Sequence, residues 1–148
     1  MASEGNYKLT LILLECLEGQ EFDGDEPYIK MNDRRIWSWD LAGRKMHDTL
    51  DAKTWTNAFD FRTGKFRTLE GWQQSPNYDP GDFEFPGLSG KTAIQLWEAD
   101  EHEVLRGEDD FLGELVVSAE SIRMSEQVVV FNQNNAMYQL TYLVTDAE

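Results

Sequence analysis

The apolar residues of this 148-residue chain recur mainly at every second position, in short runs closed off by Gly, Pro, Asn and Asp. Period two puts alternate side chains on opposite faces of an extended strand, and short bounded runs of this kind read as strands of an all-β domain. In the first run Leu9, Leu11 and Leu13 alternate with Lys8 and Thr10, and the phase slips from Leu14 to Cys16 as it does at a bulge. PYIKMNDRRIW places Asn32 and Asp33 between Ile29/Met31 and Ile36/Trp37, the arrangement of a hairpin. Further on, Ile94 and Leu96 share one face, GELVV supplies Leu115 and Val117, and QVVVF and AMYQLTYLVT flank an NQNN turn. The pattern predicts an all-β fold, a single antiparallel β-sandwich of about eight strands spanning residues 1–148 as one domain. Residues 40–75 interrupt it and are expected to form a long irregular insertion, with a short helix in DLAGRKMHDTL and a turn at Thr63–Gly64.

A chain of this length buries roughly 70% of its unfolded surface, enough for one real core. Five tryptophans and 12% aromatic residues exclude a disordered chain, which lacks the apolar side chains that offset ordering entropy. Twenty-eight acids against thirteen bases give a net charge of -15. That balance excludes direct binding to nucleic acid, and it opposes contact with an anionic membrane unless a cation intervenes. Cys16, the one cysteine, forms no internal disulfide, which favours a reducing compartment. The first nineteen residues have no basic start, and Lys8, Thr10 and Glu15 break their apolar run. They read neither as a signal peptide nor as a membrane span, so a cytoplasmic location is expected, with peripheral membrane contact compatible with it.

Charge is unevenly distributed. Residues 30–67 carry nine bases against five acids, a net +4, which leaves -19 for the remainder. The excess acid gathers at Glu15 to Glu26 and at Glu98 to Asp110. Continuing the strand period from Ile94 and Leu96 puts Glu98 and Asp100 on one face at the strand's end. Asp110 opens the next strand, and Asp23, Asp25 and Glu26 precede another. Carboxylates from flexible loops are the ligands of a hard divalent cation, and calcium, taking six to eight oxygens, suits them best. The simpler reading is that such runs are solvated loop faces.

These segments resemble a known family, the C2 domains, which are calcium- and lipid-binding β-sandwiches. EPYIKM is similar to the family's Asp-Pro-Tyr-Val strand. NYDPGDFEFPGLSGKTAIQLWEADE resembles its Asn-Pro-x-Phe, Phe-x-Phe and central-strand segment, and DDFLGEL its Asp-x-(Ile/Leu)-Gly signature. The resemblance covers residues 7–38 and 76–145 and leaves 40–75 without a counterpart. It implies Glu26, Glu98, Asp100 and Asp110 as calcium ligands, with Asp23 or Asp25 as the early loop acid. Glutamate stands at two positions where the family has aspartate, and many members have exchanged calcium for protein partners. The resemblance also implies a membrane mechanism, in which Val104 and Leu105, beside Arg106, form an apolar loop tip; the alternative is a pair folded back on the domain. Lys30, Arg34 and Arg35 are candidates for calcium-independent contact with anionic lipid, each base near such a surface contributing about 1 kcal/mol, or else ordinary strand-edge charges.

Other readings stay open. Trp37 and Trp39 share a face in IWSW and would suit a sugar-stacking platform, although core packing is the commoner fate of tryptophan. The charge of -15 would also suit an acidic interaction or immunity-type protein that needs no metal. Catalytic residues are not expected. His47 and His102 are the only histidines, Cys16 lies within a strand, and no phosphate loop or zinc spacing occurs. The expected function is therefore a non-catalytic recognition module that binds calcium and meets anionic lipid or a protein partner.

Overall fold

The structure, a computed structural model, describes residues 6–20, 24–39, 44–51, 54–76, 78–99 and 109–146. Among them are thirteen strands. The first three are β1 (Tyr7–Glu18), β2 (Pro27–Met31) and β3 (Arg34–Ser38). The middle of the chain holds β4 (Lys45–Met46), β5 (Trp55–Thr56), β6 (Ala58–Asp60), β7 (Lys65–Thr68) and β8 (Gly71–Gln74). Then follow β9 (Glu84–Leu88), β10 (Thr92–Glu98), β11 (Asp110–Val117), β12 (Gln127–Phe131) and β13 (Met137–Asp146).

One sheet runs β12-β13-β1-β6-β7-β8, with β9 also on β1, and the other runs β11-β10-β2-β3. A small parallel pair, β4-β5, stands apart. The inward residues of both sheets merge into one buried cluster, including Leu9, Leu11 and Leu14 of β1, Ile94 and Leu96 of β10, and Leu140 and Val144 of β13. This is a β-sandwich, as the alternation predicts. At its edge the buried Tyr7 hydroxyl meets Thr92 Oγ1 at 2.7 Å and donates to the Gly90 carbonyl at 2.9 Å, tying the two sheets together.

The expected turns are present. Asn32 and Asp33 take φ of 51° and 69°, the left-handed pair that closes the two-residue hairpin β2-β3, and Asn134 and Asn135 take 56° and 66° in the longer turn that joins β12 to β13. The slip in β1 lies elsewhere than expected. Its register shifts fall between Leu11 and Leu13 and between Cys16 and Glu18, so that Leu11 and Ile12 are both buried. The middle segment is more ordered than its sequence suggests. Residues 44–50 include β4 and, among the described residues, no helix. The edge of β1 is shared: β9 pairs with its Tyr7–Thr10 half and β6 with Leu13–Glu15, which lets β6 to β8 extend the larger sheet. No helix among the described residues is long and apolar enough to cross a membrane.

Candidate functional site

Three strand ends converge on the acidic positions. Glu98, the last residue of β10, pairs with Pro27 of β2 on one side and with Asp110 of β11 on the other. The expectation that Glu98 continues the Ile94/Leu96 face is correct, and that face is the buried one: Glu98 is 1% exposed. The Glu26 backbone N–H donates to Glu98 Oε2 at 3.3 Å, and the Ala99 N–H donates to the Glu26 carbonyl at 3.1 Å. Glu26, Glu98 and Asp110 therefore meet at one end of the sandwich.

Asp25 belongs to the same end but faces inward. Its backbone exchanges hydrogen bonds with Met46 at 2.7 and 2.9 Å, docking the loop after β1 on β4. The turn needs Gly24, whose φ is 102° and whose missing Cβ would lie 2.7 Å from Lys45 Cβ. Fully buried, the Asp25 carboxylate accepts from the Tyr138 hydroxyl at 2.6 Å and from the Gln20 N–H at 2.8 Å. Burial, followed by the Cys16 and Asp25 charges beside it, drives the Tyr138 phenol well above its usual value. Burial also pushes the neighbouring Cys16 thiol up to about 12, which leaves it an inert proton holder rather than a nucleophile. Asp25, like Glu98, thus turns its carboxylate toward the interior.

Gln20 is a member of this end that the sequence does not single out, because one glutamine in an acidic loop carries no pattern. Its Nε2 donates to Asp110 Oδ2 at 2.8 Å while its backbone N–H holds Asp25, so it joins the loop after β1 to the start of β11. Its Oε1 is buried with no hydrogen-bond partner. A buried amide oxygen amid carboxylates is an orphaned acceptor, and amide carbonyls are ordinary calcium ligands. An all-oxygen donor set of Gln20, Glu26, Glu98 and Asp110 fits a hard cation chemically. Among the described residues, however, no group of three His, Cys, Asp or Glu side chains is close enough to hold a metal. Asp23, Asp100 and the expected tip, Val104, Leu105 and Arg106, lie outside the described residues.

The outer face of the smaller sheet carries two adjacent rows. Ser38, Tyr28, Trp97 and Phe111 form one, and Arg35, Lys30, Gln95 and Glu114 the other. Arg35 stacks 3.6 Å above the Tyr28 ring, and Lys30 lies 4.9 Å from the Trp97 ring centroid. Like charges directly opposite one another destabilise a sheet, and cation–π stacking of each on its own ring offsets that cost. The Tyr28 hydroxyl donates to Asp109, and burial first, then this bond, pushes its pKa up to about 12. Arg34 is exposed beside them.

No protein-family model matches the sequence, and no curated protein matches it. Among solved structures, the chain is similar to one described as a C2 domain, at 10% identity and a TM-score of 0.46, covering 95% of this chain and 97% of that one. It is also similar to the human GIVD cytosolic phospholipase A2, solved in complex with methyl gamma-linolenyl fluorophosphonate, at 12% identity and a TM-score of 0.36. That match takes in 96% of this chain and 17% of the phospholipase. These are likenesses of shape, and the function of this chain rests on its own residues.

The tryptophan platform expected from IWSW is not formed. Trp37 and Trp39 are 8% and 4% exposed, packed edge-on against each other at 5.9 Å, with Trp37 also against Phe59 and Phe61, so neither presents an open face to a sugar ring. Pairing with β2 brings Trp39 over the core, where its Nε1 donates to the Arg44 carbonyl at 2.5 Å. The tryptophan that does stand exposed is Trp72, at 44%, with Arg67 beside its ring.

Proposed function

We propose that this chain is a non-catalytic recognition module that takes up calcium at the end where Glu26, Glu98 and Asp110 meet, and then contacts anionic lipid or a protein partner. The observation that carries the reading is the pairing of Glu98 with Asp110, bridged through Gln20 to the loop after β1. Carboxylates gathered at one end of a sandwich repel one another, and a divalent cation relieves that cost. Asp23 and Asp100 would complete the ligand set, and Gln20 Oε1 would add a neutral oxygen. When bound, the cation would supply positive charge to the loop surface. Gln20 itself holds the segment after β1 against the start of β11. Gathering of acids at one end favours this reading over a metal-free acidic interaction surface, which needs them spread across a face. Thermal melts in calcium and in chelator test it: calcium at a hundredfold excess over its dissociation constant should stabilise by about 2.7 kcal/mol. Equal melting temperatures at millimolar calcium would overturn the cation reading.

A calcium-independent contact has its own support in the Lys30–Arg35 pair. Both side chains are held on aromatic rings, and neither makes an ion pair among the described residues. A phosphate placed between them would remove their repulsion. Sedimentation with phosphatidylserine vesicles separates the routes. Binding lost on chelation assigns contact to the loop end, with Val104, Leu105 and Arg106 as its tip. Binding that survives chelation but is lost in Lys30→Ala/Arg35→Ala assigns it to the sheet face, and protein left in the supernatant in every condition refutes both.

A further inference from the structure

A sheet edge offers unpaired backbone groups to other chains, and proteins guard their edges with charge, proline, bulges or shortness. Both sheets of this sandwich are guarded in that way, with one exception among the described residues. β3 carries Arg34 and Arg35 and a register shift, and β11 carries Asp110, Glu114 and a register shift. β9 contains Pro86 and Gly87, and β8 has four residues and opens on Gly71. The exception is β12, the outer strand of the larger sheet. Its residues, Gln127 to Phe131, pair with Tyr142 to Tyr138 of β13 without a shift, and among the described residues no backbone hydrogen bond from elsewhere reaches them. Phe131 is buried and Val129 packs on the core, while Val128 and Val130 stand outward at 54% and 44% exposure.

Charge decides what can pair with this edge. Residues 127–145 contain no Asp, Glu, Lys, Arg or His, the longest uncharged run in a chain of net charge -15. Two copies of such a chain repel wherever their acids approach, and along this hairpin there are none. Two identical antiparallel strands are also self-complementary about a two-fold axis. Centring the axis on Val129 sets Val128 opposite the partner's Val130 twice over, which makes two β-branched pairs on the outer face. Glu126, just before the strand, then lies opposite the partner's Asn132, so no like charges face each other across the axis. A charged strand would find no counter-charge on this hairpin. We propose that β12 pairs with β12 of a second copy of this chain, joining two larger sheets into one.

Analytical ultracentrifugation of the full chain in chelator, from micromolar to millimolar protein and at low and physiological ionic strength, tests this. The mass should double as concentration rises, and the dissociation constant should fall with added salt, because screening weakens the repulsion between two acidic chains. Val128→Lys/Val130→Lys puts lysines opposite lysines across the axis and should weaken the dimer about tenfold or more. Both positions are exposed, so its circular dichroism spectrum should match the parent's. Val128→Glu/Val130→Glu should be equally weak by itself, and an equal mixture of the two variants should recover a dimer, which places the contact on β12 in this register. A monomer at every concentration and salt would overturn the proposal and leave the edge to a strand of another protein. A dimer that survives in the lysine variant, or variants that stay monomeric when mixed, would overturn it as well.

Discussion

Among single residues, those that hold protons govern the stability of the acidic end. Tyr138 is fully buried, and its hydroxyl is a donor to the buried Asp25 carboxylate. Tyr138→Phe removes that donor and leaves the carboxylate under-bonded, at a cost of about 1–3 kcal/mol. The measurement is urea unfolding followed by circular dichroism, and an unchanged midpoint would show that the bond contributes nothing. Proton holding also sets the response to alkali. Burial raises Cys16 from 9.0 to about 12 and Tyr28 from 10.0 to about 12, with Tyr138 also raised well above its usual value. The native state keeps these protons where the unfolded chain releases them, so their contribution is complete below pH 9.0 and drains away toward pH 12. The melting temperature should therefore fall steadily through that window. A flat profile there would contradict the assignment.

Among the elements, the start of β11 decides the geometry of the site. The register between β10 and β11 shifts between Leu96 and Trp97, so that Leu112 is the extra residue before Gly113. The shift lets Phe131 of β12 close over the strand, and a Cβ on Gly113 would lie 2.5 Å from its ring and 2.7 Å from its Cβ. Gly113→Ala should destabilise by about 1–3 kcal/mol through overpacking. It should also weaken calcium binding, because Asp110 and its bond from Gln20 lie on the same strand end. Unfolding titrations with and without calcium would check both, and wild-type stability would mean that Phe131 moves aside without cost. The hairpins β2-β3 and β12-β13 were legible from Asn-Asp and Asn-Asn, since left-handed φ is a local demand that few residues meet. The ladder through β6 to β8 was not, because strands of three or four residues carry too little alternation to stand out.

For the molecule as a whole, a net charge of -15 means self-repulsion that local ion pairs do little to offset. Exposed ion pairs such as Lys8–Glu84 at 3.0 Å and Arg62–Glu126 at 3.5 Å contribute little. Raising ionic strength from about 0.01 M to about 0.15 M shortens the screening length from roughly 30 Å to roughly 8 Å. In chelator, that change should raise the melting temperature, and calcium should make the salt effect smaller. A melting temperature that falls with salt would show that attractive pairs outweigh the repulsion.

Alternation, turn chemistry and charge are properties of neighbouring residues, so the class of fold, both hairpin turns and the clustering of acids could be read along the chain. Which groups face inward was decided in three dimensions. Asp25 looks like Glu26 in the sequence, yet its bridge to Met46 turns it toward Tyr138, 113 residues away. Trp37 and Trp39 form an exposed-looking pair until Phe59, Phe61 and Phe66 fold over them. Gln20 acquires its place only because β1 and β11 come together at that end. Burial and convergence depend on which distant segment covers a face, and no local pattern records that.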